Sequence, residues 1–238
     1  VGLPAEAEGM RVAVVADLHI DCWRGKRWSE TFVSRLNAAQ PDMVLFTGDQ
    51  VDGEIERRRA DLAPLATIQA PDGRFLISGN HEFMHDAEAY LQYYQTLGLT
   101  LLDGQTATVR GLTLMGLPDG RSLVASNNEP ILERLMATLP AASFPVLLVH
   151  KPAIAPIADK MGVKMQFSGH THGGQFPGLA WIMKRYNNGL VRGRYDFPNG
   201  MQLHLAIGSA SWIGFPFRLF YTSELPIFTL RSPASVGN

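Results

Sequence analysis

Met10-Arg11-Val12-Ala13-Val14-Val15-Ala16-Asp17-Leu18-His19 is an apolar run, rich in valine, that stops at a carboxylate and an imidazole. Such a run reads as a buried strand. The pattern returns four times along the chain. Residues 43–47 end in Gly48-Asp49, and residues 74–78 end in Gly79-Asn80-His81. Residues 145–149 end in His150, and residues 165–168 end in Gly169-His170-Thr171-His172. Helical stretches are expected over residues 26–40, 54–68, 86–97, 127–139 and 154–161. In the first of these, Trp28, Phe32, Val33 and Leu36 fall near helical spacing, and Pro41 follows as a stop. Residues 99–102, 107–110 and 112–117 read as further strands with turns at Gly104 and Gly111. Residues 189–231 read as strands broken by Gly and Pro. Helices on partly antiparallel sheets give a layered α/β arrangement. No linker-like stretch divides residues 1–238, so one domain is expected.

Composition narrows the function classes. The chain has 238 residues, 46% hydrophobic and 18% charged. A charged share below the usual level of roughly 25% and an ordinary apolar share exclude a disordered chain. A formal net charge of −1 excludes a protein that coats nucleic acid through general basicity. Cys22 is the only cysteine, which excludes an intrachain disulfide and a cysteine-based zinc site. A bound metal would have to use His, Asp, Glu or Asn. No run of 18 apolar residues is present, so no membrane-spanning helix is expected. The chain starts at Val1 rather than Met, which leaves an upstream signal or anchor open.

The strand ends are where chemistry is expected, because ligands of open α/β sheets gather at the carboxyl ends of strands. Each motif alone has an ordinary reading: a strand-end turn for Asp17-Leu18-His19, a turn for Gly48-Asp49, a core histidine for His150. Together they carry more. Five of the seven histidines fall at these strand ends. Their convergence would assemble about eight nitrogen and oxygen donors, too many for one tetrahedral site and suited to two octahedral-like sites sharing a carboxylate. Paired cations clamp the attacking and leaving oxygens of a phosphoryl displacement.

The five blocks resemble the signature of the calcineurin-like metallophosphoesterases. They run from Asp17 to His172. The continuation Gly173-Gly174-Gln175, with Gly208-Ser209 later, resembles the bacterial phosphodiesterase branch, often membrane- or cell-wall-associated. The resemblance implies a four-layer αββα sandwich of two mixed sheets flanked by helices. It implies two divalent metal ions, Mn, Fe, Zn or Co. One would be held by Asp17, His19, Asp49 and His172, the other by Asp49, Asn80, His150 and His170, with Asp49 bridging. It leaves His81 off the metals, as acid or charge stabiliser beside the leaving oxygen, a role that suits a group titrating near neutral pH. The implied reaction is hydrolysis of a phosphodiester by in-line attack of metal-bound hydroxide. A phosphomonoesterase, a nucleotide-sugar-lipid pyrophosphatase, a silent scaffold and a metal-dependent nuclease are the alternatives.

Some residues lie outside the signature. Asp21 stands where relatives often carry glycine, an extra carboxylate expected to tune charge or contact substrate. His85 and His204 match no motif and read as surface or core histidines. The Arg57-Arg58-Arg59 run reads as a solvated helix face. Residues 179–185 and 212–220 are aromatic and apolar with Lys or Arg at their flanks. They read as core and pocket wall, or as a rim meeting a membrane or a lipid-like substrate. The expected partner is thus a phosphoester, with peripheral membrane contact as the sharper reading and no nucleic acid. The expected setting is bacterial, in the cytoplasm or peripheral to the membrane or cell envelope.

Overall fold

The computed structural model describes residues 2–120, 127–212 and 217–232. The first apolar run forms β1 (Arg11–Val15), and the next two form β2 (Met43–Phe46) and β3 (Arg74–Leu76). These three lie parallel, β4 (Thr100–Leu101) extends them, and β11 (Ile227–Thr229) joins β1 antiparallel. The second sheet has the order β5 (Thr106–Val109), β6 (Leu112–Leu117), β7 (Phe144–Val149), β8 (Met165–Ser168), β10 (Gln202–Leu205), β9 (Gly193–Asp196). Its four inner strands are parallel and its two edges antiparallel.

Side-chain alternation along β1 shows why the sheets stack. Val12 and Val14 enter a core shared with Leu114, Val146, Leu148 and Phe167 of the other sheet. Ala13 and Val15 point the other way, into a core with helices. That outer layer is α1 (Lys26–Ala38), α2 (Ile55–Leu62) and α4 (Ala87–Thr96), which contribute Phe32, Leu36, Leu62, Tyr90 and Tyr94. A third core lies beyond the second sheet, where Leu147, Leu203 and Leu205 meet Leu132 and Leu135 of α5 (Glu129–Ala137) and Ala158 of α6 (Ala155–Lys160). Three apolar cores between four layers are the αββα sandwich that the family resemblance implied; the strand pattern alone gave a layered α/β arrangement.

Some elements differ from the sequence expectation. The helix expected over 54–68 ends at Leu62 and continues as a 3-10 segment with Pro64 near its start, because proline cannot donate the next helical hydrogen bond. The Gly79-Asn80-His81-Glu82 block opens a short helix, α3 (Asn80–Met84), since Glu82 folds back to accept from Gly79 N. Residues 189–231 hold three short strands among the described residues. A helix not expected, α7 (Pro177–Tyr186), covers part of the site.

His204 on β10 faces between the sheets, its ring 4.5 Å from that of Phe228. Burial lowers it from 6.5 to about 4, and Nε2, 3.8 Å from Glu224 Oε1, has no hydrogen-bond partner among the described residues. As pH falls from about 6.5 towards 4, the unfolded chain takes a proton that the folded chain refuses, so stability present above 6.5 is lost. The loss is at most about 3 kcal/mol. His204→Leu is therefore expected to shrink the drop in thermal midpoint between pH 7.5 and pH 5. An unchanged drop would remove His204 from the acid limb.

Candidate metal centre

Parallel strands bring the five blocks to one edge. Asp17 and His19 follow β1, Asp49 follows β2, Asn80 opens α3, His150 follows β7, and His170 and His172 follow β8. Asp17, His19 and His172 offer donor atoms within 4.8 Å of one another, as do Asp49, His150 and His170. The groups approach closely at His150 Nε2, which is 3.1 Å from Asp49 Oδ2 and 3.2 Å from Asn80 Oδ1. His19 Nε2 and His172 Nε2 lie 3.0 Å apart. All seven expected residues come together. His81 joins them, forming with His19 and Asp49 a further group within 4.8 Å.

The backbone is bent to present these side chains. Asp17, His19, Asp49, His170 and His172 all have φ between 43° and 72°. That left-handed conformation costs of order 1–3 kcal/mol in a residue other than glycine and persists where its surroundings enforce it. Missing side chains make the room. A Cβ on Gly79 would lie 2.2 Å from Asp49 Oδ1, one on Gly169 2.5 Å from Asp17 Oδ2, and one on Gly48 2.7 Å from His150 Nδ1. Glu82 fixes the loop carrying Asp49 by accepting from Asp49 N, Gln50 N and Gly79 N. His150 Nδ1 faces Thr47 O at 2.8 Å, which turns Nε2 towards the cluster.

Asp52 is the residue the motif reading missed. Its two oxygens face His19 Nδ1 at 2.7 Å and His81 Nδ1 at 2.5 Å, so both imidazoles present Nε2 to the site. Its signal was its place three residues after Asp49, a second buried carboxylate on one strand-end loop. Arg218, the basic residue of the segment read as a rim over 212–220, instead donates to the carbonyls of His172 and Ile207 and ties that segment to the last donor loop. Asp21 corrects an expectation. It is buried and accepts from Trp23 N, Arg24 N and the Arg24 guanidinium, so it builds its own loop, and it is not among the described residues that line the cleft. His85 accepts from Gly53 N, an outlying structural role.

Burial and charge set the protonation of the cluster. Burial pulls His150 and His81 down, but neighbouring carboxylates outweigh it, Asp49 for His150 and Asp52 for His81. They rise to about 10 and about 9. Burial, joined by cationic neighbours, drives His170 and His172 well below the usual range. Burial pushes the Asp49 carboxyl up, and facing imidazoles outweigh that and hold it well below its usual value. Ionised Asp49 with neutral His170 and His172 is the form in which these groups donate to a cation.

The cleft above the cluster has a volume of about 400 Å³. Its floor is Asp49, Asn80, His81, His170 and His172, and its wall comes from α7 and Trp212. Gly174 lets α7 approach, since a Cβ there would meet Ala180 Cα at 2.4 Å. Of the aromatic rim expected over 212–220, Phe215 lies outside the described residues.

The chain belongs to the calcineurin-like phosphoesterases, whose family model matches residues 10–174. The buried His and Asp groups accord with a divalent metal centre in such a protein. An uncharacterized metallophosphoesterase of Helicobacter pylori is 29% identical over 222 residues, covering 93% of this chain and 60% of that protein. The uncharacterized metallophosphoesterase YkuE of Bacillus subtilis is 28% identical over 243 residues, covering 97% and 82%. These bacterial relatives are consistent with the bacterial branch. The chain spans about 60% of the length of the Helicobacter relative. A dimetal phosphatase from Danio rerio shares the fold, with a TM-score of 0.57, 15% identity, and coverage of 84% of this chain and 88% of that one. Among the described residues no helix is long and apolar enough to cross a membrane.

Proposed function

We propose that the chain is a dinuclear metal-dependent phosphodiesterase. The observation that carries this reading is the pair of donor groups, Asp17-His19-His172 and Asp49-His150-His170, buried except for a half-buried His170 and meeting beside a cleft. The donors are carboxylate oxygen and imidazole nitrogen, which suit Mn, Fe, Co or Zn. Glycines leave the space their oxygens and nitrogens occupy. One cation would be held by Asp17, His19, Asp49 and His172, the other by Asp49, Asn80, His150 and His170. When bound, divalent cations supply charge neutralisation at phosphoryl oxygens and acidify water.

The remaining work falls to the chain. His81 borders the cleft and is pinned through Nδ1 by Asp52, so Nε2 is free to donate. Water oxygen bonds to phosphorus, the bond to the leaving alcohol breaks, and His81 gives that oxygen a proton. Asn80 supplies an amide that orients a phosphoryl oxygen or serves as ligand. The described lining of the cleft includes no Lys or Arg. A monoester dianion needs more positive charge than a diester monoanion, which favours the diester. A silent scaffold is disfavoured by retention of all seven donors. A peripheral place at a membrane or cell envelope belongs to the same proposal, supported by Trp181, 73% exposed on α7 beside Lys184 and Arg185.

Chelation is expected to abolish hydrolysis, and Mn²⁺ to restore it. On the restored protein an aryl phosphodiester is expected to show a higher kcat/KM than the aryl phosphomonoester. Full activity in protein that elemental analysis finds metal-free would end the metal reading. A reversed preference would make the protein a phosphomonoesterase.

A further inference from the structure

Leu179, Ile182, Met183 and Tyr186 of α7 line the cleft together with Trp212. The four helical positions are spaced i, i+3, i+4 and i+7, so they form one stripe. An amphipathic helix is stabilised by burying such a stripe against its own protein. Here no residue of α7 is buried, and none belongs to any of the three apolar cores. The stripe looks instead onto the cleft, whose floor is the donor cluster. The helix starts at Pro177 and passes close over Gly174, and Phe176 before it stacks on Phe217. Its basic residues, Lys184 and Arg185, are not among the cleft residues.

We infer that this stripe binds the organic substituent of the substrate, and that the substrate is an amphiphilic phosphoester carrying a long aliphatic chain. The inference rests on the phosphodiesterase reading and names the substrate class of that same site. The two ends of the cleft differ in the way such a molecule differs. A cation-competent floor accepts the phosphoryl group, and a wall whose described residues include no Lys or Arg accepts hydrocarbon. A polyphosphate or nucleotide would leave its further charges against Leu179, Ile182 and Met183, where nothing described compensates them. The stripe from Leu179 to Tyr186 rises about 10 Å along the helix, room for several methylenes in line.

The test is a chain-length series of p-nitrophenyl alkyl phosphodiesters, methyl, butyl and octyl, below their micellar concentrations on Mn²⁺-loaded protein. kcat/KM is expected to rise about two- to fourfold per methylene, the value of a buried CH₂. The double variant Ile182→Ser, Met183→Ser is expected to cut the octyl-to-methyl ratio at least about tenfold. Ile182→Leu, and Trp181→Ser at an exposed position off the lining, are expected to keep it. Calorimetry gives a reading without turnover: decylphosphonate should bind far more tightly than methylphosphonate, and the double variant should lose the difference. A flat series in protein that hydrolyses the methyl ester would overturn this inference and leave the phosphodiesterase reading standing. A flat series together with anionic-vesicle binding that Trp181→Ser abolishes would overturn it in favour of a membrane-docking role for the helix. Absence of hydrolysis for every ester, with decylphosphonate still preferred, would overturn the phosphodiesterase reading and leave the aliphatic site.

Discussion

Asp49→Asn protein is expected to lose metal and activity together. Asp49 is the carboxylate that faces both groups. Its Oδ2 is 3.1 Å from His150 Nε2 and 4.0 Å from His19 Nε2. In the proposed arrangement it supplies a donor to each cation and the negative charge between them. Asparagine keeps the shape and can still accept from His81 N, as Asp49 Oδ1 does at 2.8 Å, so the loop should hold. What is lost is charge. Two dications without an anion between them repel, and one should leave or bind weakly. Loss of an outer partner to a metal ligand typically costs 10–100-fold; removing the shared carboxylate charge should cost more than that in kcat/KM. Elemental analysis and turnover on one preparation read both effects, with circular dichroism confirming the fold. Normal metal content in Asp49→Asn would take Asp49 out of the bridging position.

His81→Ala should fail differently. The proposal gives His81 proton transfer, worth about 10²–10⁴ in kcat for a positioned group. The geometry makes this a sharp question, because His81 also offers a ring nitrogen within 4.8 Å of donor atoms of His19 and Asp49. Near-normal metal content with a kcat loss of that size supports the proton-transfer role. The loss should shrink for esters whose leaving group is strongly acidic, since such an oxygen departs without a proton. A His81→Ala variant stripped of metal would make His81 a ligand. Wild-type rates on a poor leaving group would remove it from the reaction.

The strands that carry the donors were legible because burial on both faces leaves nearly unbroken apolar runs, as in residues 145–149. Their parallel order put the donors on one edge, so reading the strand ends also located the site. Asp52 was harder to see. Its role depends on facing His19 and His81 at once, and those residues lie 33 and 29 positions away. Helix α7 was missed for another reason. Trp181 interrupts the polar face that would have made the helical period visible; the run around it reads as core and pocket wall or as a rim, and its place as a cleft wall is legible while its helix is not. Asp21 misled because a carboxylate four residues from Asp17 looks as though it belongs to the cluster. The turn at Trp23 and Arg24 captures it instead.

Gly174 carries a consequence for what the cleft admits. The close approach of its backbone to Ala180 moors α7 to the loop bearing His170 and His172. Where wall and floor join, main chain therefore meets main chain. With that join fixed, the cleft is expected to act as a gauge of set width and open length. A substituent can grow along the helix axis with little penalty, whereas one that grows in girth must pry the helix from its mooring. Selection by thickness is thus the outcome expected from this backbone contact, ahead of any side chain that tunes affinity.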